Sequence, residues 1–299
     1  MKKIIYYILI LPLILCISGC LDENPRDQLD QDAIYDNASN IYNNAVASLY
    51  NYFGGHQNSE GLQGTCRGLY DYNTLTSDEA MIPTRGGDWY DGGLWKNLYQ
   101  HKWSANDIYL YDIWKYLYKV IMLSNKSLAD IESHKGALSY DQYKCFTAEV
   151  RAIRALYYWY AMDMFGNIPL VTSYNVKLEQ VVQNKRSEVF QFIVDELQQA
   201  APLLADARSN KAGDYYGRIT RPVVHFLLAK LALNAEIYSD DNWTDGKQMD
   251  GRTIFFDVNG VKKNAWETCI WYCDQLNSVG YTLESDYATN FAVHNENSD

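Results

Sequence analysis

Apolar residues recur every three or four positions along most of the chain beyond residue 31, which is the spacing of one buried face on an α-helix. Six such stripes are present, at residues 41–53, 113–131, 153–164, 190–204, 224–238 and 266–276. Each predicted helix has one apolar face, which it can bury only against a neighbour. Because short turns join them, the helices favour a mostly all-α protein, a TPR-like (tetratricopeptide-like) α-solenoid of helix pairs with long irregular loops and few short strands. The consensus residues of that repeat are not recognisable in the sequence.

Local signals predict where some elements begin and where the chain is extended. Ser187 and Thr220 open the fourth and fifth helices and are expected to cap them, since their hydroxyls can accept a free backbone N–H. Residues 168–174 are expected to be extended around a proline. Residues 253–258 are expected to form one arm of a hairpin closed by an Asn-Gly turn.

Two long segments, 54–95 and 239–264, have no apolar stripe and are predicted to be irregular loops. Loops of this length inside a compact domain are often functional. The second segment holds four acids spaced somewhat like the oxygen ligands of a calcium loop. Without an EF-hand frame, solvated acids are favoured there over a structural Ca²⁺ site. These acids are Asp240, Asp241, Asp245 and Asp250.

The first twenty residues are typical of a secretory signal. Two lysines precede an apolar stretch at 4–17, which is shorter than the ~20 residues that a membrane span needs. The stretch ends in Ile-Ser-Gly-Cys, which resembles a bacterial lipobox, in which Cys20 is lipidated and begins the mature chain. More than one acyl chain gives stable anchoring. We therefore expect a signal peptide at 1–19, a lipidated tether at 20–31 and a helical domain at 32–299.

Charge and composition narrow the function. The chain has 26 basic and 37 acidic residues, and loss of two lysines with the signal leaves 24 basic ones, a net charge of about −13. Such an acidic surface argues against nucleic-acid binding, which needs a basic footprint. Aromatic residues reach 14%, with 26 Tyr and 8 Trp. Their rings suit both helix packing and the flat faces of sugars, and packing is the favoured use for most of them.

Catalytic and metal-binding motifs are absent from the sequence. There is no metalloprotease, hydrolase-elbow, phosphate-loop or dinucleotide motif, and the five histidines lack metal-ligand spacing. Adjacent carboxylates such as Asp78-Glu79 rarely converge on one glycosidic bond. Cys269 and Cys273, four residues apart, are expected to be buried free thiols rather than zinc ligands or a disulfide. We expect neither an enzyme nor a cofactor.

One loop carries the candidate ligand surface. Residues 85–95 read Arg-Gly-Gly-Asp-Trp-Tyr-Asp-Gly-Gly-Leu-Trp, in which glycines let the backbone project rings. Tryptophan can stack on the C–H face of a pyranose while aspartates bind its hydroxyls. The alternative is that the last tryptophans only anchor the next helix in the core. The candidate ligand-binding residues are Asp88, Trp89, Tyr90, Asp91, Trp95 and Trp103.

Two motifs carry a family resemblance. The first is a helix with the pattern Glu-x-Arg-x-x-Arg-Ala that runs into Phe-Gly-x-Ile-Pro-Leu, and the second is a Gly-Arg-x-Thr turn before an apolar helix. This order resembles the SusD/RagB family of bacterial outer-membrane lipoproteins, where these residues are structural. The matching residues are Glu149, Arg151, Arg154, Phe165, Gly166, Pro169, Gly217, Arg218 and Thr220.

The resemblance implies a function that composition does not reveal. Such proteins bind glycan oligomers at the cell surface, without catalysis, and deliver them to a SusC-like TonB-dependent porin for import. The alternatives are a peptide ligand, as in RagB-like members, or, less favoured, a surface glycoside hydrolase. The expected location is the outer membrane, through a lipid anchor that faces the cell exterior. Family members usually continue further, so we also expect this chain to lack their C-terminal part.

Overall fold

The computed structural model describes residues 34–55, 58–63, 67–77 and 79–295. The predicted signal peptide, the tether and Cys20 lie outside the described residues, as does Asp78. Within the described part, the chain forms mainly helices: α1 (Ala38–Ile41), α2 (Ser48–Gly54), α3 (Leu69–Leu75), α4 (Leu94–Tyr99), α5 (Ile108–Ser133), α6 (Tyr140–Phe165), α7 (Arg186–Ala200), α8 (Arg221–Leu233), α9 (Ala235–Tyr238) and α10 (Ala265–Ser278). A π-helix, Tyr42–Ala47, joins α1 to α2 without interruption.

Two antiparallel helices of 26 residues, α5 and α6, form the centre of the fold. Residues at helical spacing on α5, such as Ile113, Leu117 and Val120, are fully buried. Ser139 is the N-cap of α6, and its hydroxyl accepts the backbone N–H of Gln142, the third residue of the helix, as expected of a capping box. The helix ends at Gly166, whose φ of 70° is unfavourable for other residues.

The remaining long helices extend this pair into a stack. α7 packs on α6, and α8 packs on α10, with the short α9 and the hairpin at 255–264 between these two helices in sequence. The mostly helical fold predicted from the apolar stripes is therefore confirmed. No helix in the described ranges is both long and apolar enough to cross a membrane.

Two short antiparallel sheets connect the helices. Strand β1 (Ile168–Pro169) pairs with β2 (Gln183–Asn184), and β3 (Phe255–Val258) pairs with β4 (Val261–Asn264). Between β3 and β4, Asn259 and Gly260 have φ values of 54° and 78°, as a tight hairpin turn requires. The predicted hairpin is confirmed, whereas the predicted extended segment 168–174 is a strand over its first two residues only.

Two predicted helix caps differ from the structure. Ser187 lies inside the first turn of α7, where its hydroxyl donates to Asp241, and the N-cap position belongs to Lys185. Thr220 does occupy the N-cap position of α8, but its side chain makes no capping bond. The predicted loop 54–95 also contains α3 and the start of α4, which are too short to show a stripe.

Several of the many tyrosines pack in the core of the fold. Tyr116, Tyr157 and Tyr158 are among the largest fully buried side chains of the described chain. The hydroxyls of Tyr116 and Tyr157 lie 2.9 Å apart, and that of Tyr158 donates to the Val171 carbonyl at 2.7 Å. Each buried hydroxyl thus keeps a partner, which is the condition for burying a polar group at low cost.

Candidate aromatic groove

A cleft of about 660 Å³ lies between the start of α5, the loop before it and the end of α6. Its walls carry four aromatic side chains on otherwise small or apolar surroundings. We call this cleft the aromatic groove, and its aromatic residues are Trp103, Tyr111, Trp114 and Phe165.

The rings of the groove are held by each other and by neighbouring residues. The Trp114 ring centroid lies 5.1 Å from that of Phe165, nearly perpendicular to it, and 4.4 Å from that of Tyr118. Tyr111 is 60% exposed, and the Lys115 ammonium lies 4.7 Å from its ring centroid. Supported rings with free faces can stack on a ligand without first losing much conformational freedom.

The local sequence explains why these rings meet. Asp107 caps α5, since its carboxylate accepts the backbone N–H of Tyr109 at 2.9 Å. Tyr111, Trp114 and Tyr118 follow at i, i+3 and i+7, so they share a face of α5 beside the buried one. Phe165 is the last residue of α6, directly before the glycine that ends it.

Most of this groove is not predicted from the sequence. The sequence predicts Trp103 as a ligand-binding residue, and Phe165 only as part of the family motif. Tyr111 and Trp114 are not among the predicted residues, because the apolar stripe of α5 predicts only its buried face. The signal that could have found them is the aromatic spacing at 111, 114 and 118.

The predicted loop presents two exposed rings at a separate place. Trp89 and Tyr90 are 57% and 59% exposed, and neither lines the aromatic groove. Arg85 and Asp88 exchange two backbone hydrogen bonds, which close a tight turn just before them. Trp89 has a φ of 60°, a left-handed conformation that is costly outside glycine and tends to cluster at functional sites.

Trp95 is not part of that exposed surface. It is only 4% exposed, and its indole N–H donates to the Asp91 carboxylate at 2.6 Å. The same carboxylate pairs with Arg67 at 3.1 Å, and the Arg67 guanidinium lies 5.6 Å from the Trp95 ring centroid. These contacts favour the alternative in which Trp95 anchors the loop to the core, and Asp91 is engaged in the same contacts. Ligand contact by either residue stays a prediction.

The first family motif forms two ion-pair clusters. Arg151 and Arg154, three residues apart on α6, both bind Glu196 of α7, at 2.6 and 2.5 Å. Glu149, which is 1% exposed, pairs with Arg218 at 2.6 Å. Their partners lie on other elements, so these side chains join neighbouring helices.

The second cluster also orders two tyrosines. Tyr50 and Tyr42 donate to Glu149 at 2.6 and 3.2 Å. Burial, and then the charge of Glu149, raise the pKa of the Tyr50 hydroxyl above its usual value, so it stays a neutral donor. Gly217, with a φ of 72°, makes the turn that brings Arg218 to this carboxylate.

The acidic loop does not assemble a metal site in the structure. Asp241 accepts from the backbone and hydroxyl of Ser187, and Asp240, Asp245 and Asp250 each accept from a backbone N–H two residues further on. No group of three or more potential metal ligands occurs in the described ranges. The cysteine prediction needs a correction, because Cys273 is exposed and Cys269 is only partly buried, although both are free.

The chain is similar in sequence to a known protein family and to individual members of it. Residues 62–233 match a family model described as SusD-like, starch-binding and associating with the outer membrane. A SusD-like protein of Bacteroides ovatus is 24% identical over 94% of this chain and 45% of its own length. The starch-binding protein SusD of Bacteroides thetaiotaomicron is 26% identical over 60% of this chain and 30% of its own.

Solved structures show the same fold. A laminarin-binding SusD-like protein superposes with a TM-score of 0.66 at 22% identity, over 88% of this chain and 50% of that one. The surface glycan-binding protein A of Bacteroides uniformis superposes with a TM-score of 0.62 at 17% identity, over 86% of this chain and 50% of that one. The chain spans less than half the length of the curated relatives described above.

Proposed function

The chain belongs to the SusD-like family, and on that premise we propose that it binds glycan oligomers, without catalysis, through the aromatic groove. The observation that carries the proposal is the groove itself, where Trp103, Tyr111 and Trp114 line one open cleft. The C–H faces of pyranose rings stack on such side chains, and the volume lies within the ~300–1,000 Å³ of small-ligand sites. Starch and laminarin, named for relatives, are the first glycans to test.

The location and the partner belong to the same proposal. The lipobox-like segment ending at Cys20 supports a lipid anchor in the outer membrane, and the description of the family supports association with that membrane. A SusC-like TonB-dependent porin is the proposed recipient of the glycan. Replacing Cys20→Ser should release the protein from membranes, and co-purification of such a porin from the native membrane tests the partner.

Affinity electrophoresis tests the binding proposal. The chain from residue 21 onward should be retarded in gels that contain soluble starch or laminarin. The double variant Trp103→Ala, Tyr111→Ala should lower the affinity at least about tenfold, since a stacking residue at the centre of a site contributes ~1 kcal/mol or more. Tyr140→Ala is the control, because Tyr140 is also an exposed aromatic residue but lies at the other end of α6.

The same purified protein separates the alternatives. Retention by immobilised peptides but by none of a panel of glycans would replace the glycan ligand with a peptide. Release of reducing sugar, lost on changing one carboxylate, would overturn the non-catalytic proposal. If the double variant is retarded as much as the parent protein, the aromatic groove is not the glycan-binding site.

A further inference from the structure

A second cavity lies in another part of the fold. It measures about 530 Å³ and opens between the end of α7, α8, the β3–β4 hairpin and α10. It shares no lining residue with the aromatic groove. We call it the amide cavity, and the polar or aromatic residues that matter here are Gln198, Gln199, His225, Asn259, Trp271 and Gln275.

Several polar groups of this cavity are available to a ligand. Among the described residues, no hydrogen bond reaches the side-chain amides of Asn259 and Gln275, the ring nitrogens of His225 or the indole N–H of Trp271. The side-chain amide of Gln198, by contrast, donates a hydrogen bond to the Asp257 carbonyl, at 2.7 Å. The cavity therefore offers both donors and acceptors that the protein itself leaves unused.

The charged groups at the cavity are already engaged. The Arg221 guanidinium donates to the carbonyls of Ala201 and Leu204 at 3.1 Å each and pairs with Asp206 at 3.4 Å. The Asp257 carboxylate accepts the backbone N–H of Gly260 at 2.7 Å, inside the hairpin turn. An ionic ligand would have to compete with these bonds, whereas a neutral one would not.

An aromatic wall completes the cavity. The Trp271 ring centroid lies 4.9 Å from that of Tyr272 and 6.1 Å from that of His225, and both contacts are edge-on. Burial, and then the charge of Arg221, lower the pKa of His225, while Asp206 opposes the shift. A neutral imidazole can donate through one ring nitrogen and accept through the other.

We propose that the amide cavity is a second binding site, independent of the aromatic groove, and that it takes a neutral mono- or disaccharide. A sugar has an apolar C–H face for Trp271 and hydroxyls that both donate and accept, which match amides and a neutral imidazole. A purely apolar ligand would leave those polar groups buried without partners, which is costly. The volume also lies within the ~300–1,000 Å³ of small-ligand sites.

Fluorine NMR on protein labelled with 5-fluorotryptophan tests this assignment. The signals of Trp271 and Trp114 are identified by replacing each residue with Phe. The labelled chain from residue 21 onward is then titrated with glucose, maltose and cellobiose, with and without Trp103→Ala, Tyr111→Ala. We expect a saturable shift of the Trp271 signal that persists in the double variant.

A matched pair of variants on α10 sharpens the test. Gln275→Leu nearly keeps the size of the side chain but removes the amide, and the loss of its hydrogen bonds to the sugar should weaken the affinity read from the Trp271 signal about tenfold. Asn277→Leu, exposed on the same helix outside the cavity, should leave the response unchanged. A Trp271 signal that no sugar shifts, or a shift that Gln275→Leu does not weaken, overturns the second site. The Trp114 signal reports on the aromatic groove separately, so the failure of one site is distinguishable from the failure of the other.

Discussion

The guanidinium of Arg218 donates two hydrogen bonds to the carboxylate of Glu149, from Nε at 3.1 Å and from Nη2 at 2.6 Å. Tyr50 donates to the same carboxylate, and its hydroxyl also accepts the backbone N–H of Ile219 at 2.8 Å. Three segments far apart in sequence, namely α2, α6 and the turn before α8, therefore meet at one buried charge.

Replacing this carboxylate should destabilise the fold strongly. Glu149→Gln keeps the size of the side chain but leaves Arg218 without its charge partner and two tyrosines with a weaker acceptor. Removing one member of a buried ion pair costs ~3–5 kcal/mol, and the partial exposure of Arg218 favours the lower end of that range. Urea unfolding measures the loss.

A surface ion pair provides the control for that measurement. Glu132 binds Lys135 across an exposed helix end, where solvent screens the interaction, so Glu132→Gln should change stability little. Equal stabilities of the two variants would show that Glu149 does not join the three segments.

A glycine beneath Trp266 should resist substitution. A Cβ atom added to Gly251 would lie 2.6 Å from the Trp266 ring, and the backbone N–H of Gly251 donates to Glu236 at 2.7 Å. Gly251→Ala should therefore cost ~1–3 kcal/mol in unfolding free energy, the usual penalty for overpacking. Gly136→Ala is the matched control, because nothing lies within 4 Å of its added methyl group. Comparable thermal midpoints for both variants would contradict the predicted clash.

The contribution of the exposed rings of the 85–95 loop to glycan affinity can be tested separately. If Trp89 and Tyr90 contact the glycan, the double variant Trp89→Asn, Tyr90→Ala should lower the affinity about tenfold, as expected when stacking contacts are lost. Asparagine tolerates the left-handed backbone at position 89, so the loop should keep its shape. Binding measured by isothermal calorimetry that matches the parent protein would remove this loop from the ligand surface.

The lowered pKa of His225 predicts how stability depends on pH. Well above about pH 6.5 the imidazole is neutral in both the folded and the unfolded chain, so it contributes no pH dependence there. As the pH falls below that value, the unfolded chain binds a proton that the folded chain does not, and the unfolding free energy falls. His225→Gln should make this decline shallower. Urea unfolding between about pH 8 and about pH 5 measures it, and equal slopes for both proteins would refute the prediction.

Helices with a long apolar stripe were predictable from the sequence, and their ends followed from Gly54, Gly166 and Gly280. The aromatic groove was harder to predict. Periodicity distinguishes the buried from the exposed face of a helix, but it does not show which exposed rings come together. Tyr111 and Phe165 line the same groove only because α5 and α6 pack side by side.

Local tertiary contacts explain the other differences. Trp95 looked like part of a ligand loop, yet Arg67 and Asp91 hold it in the core, and a contact from a distant segment leaves no mark in local spacing. Ser187 resembles a helix cap, but its hydroxyl is used by Asp241, more than fifty residues away in sequence. A serine near the start of a helix is a weak predictor of an N-cap when a residue distant in sequence binds the same hydroxyl.

The number of residues between Glu149 and Phe165 on α6 fixes the relative orientation of these two side chains. Glu149 and Phe165 lie sixteen residues apart on one continuous helix, a distance of ~24 Å along its axis. Each added or removed residue would turn one end by ~100° relative to the other. A single insertion between them would therefore rotate Phe165 away from Trp114 while Glu149 stayed with Arg218. We therefore expect this stretch of α6 to tolerate no change in length.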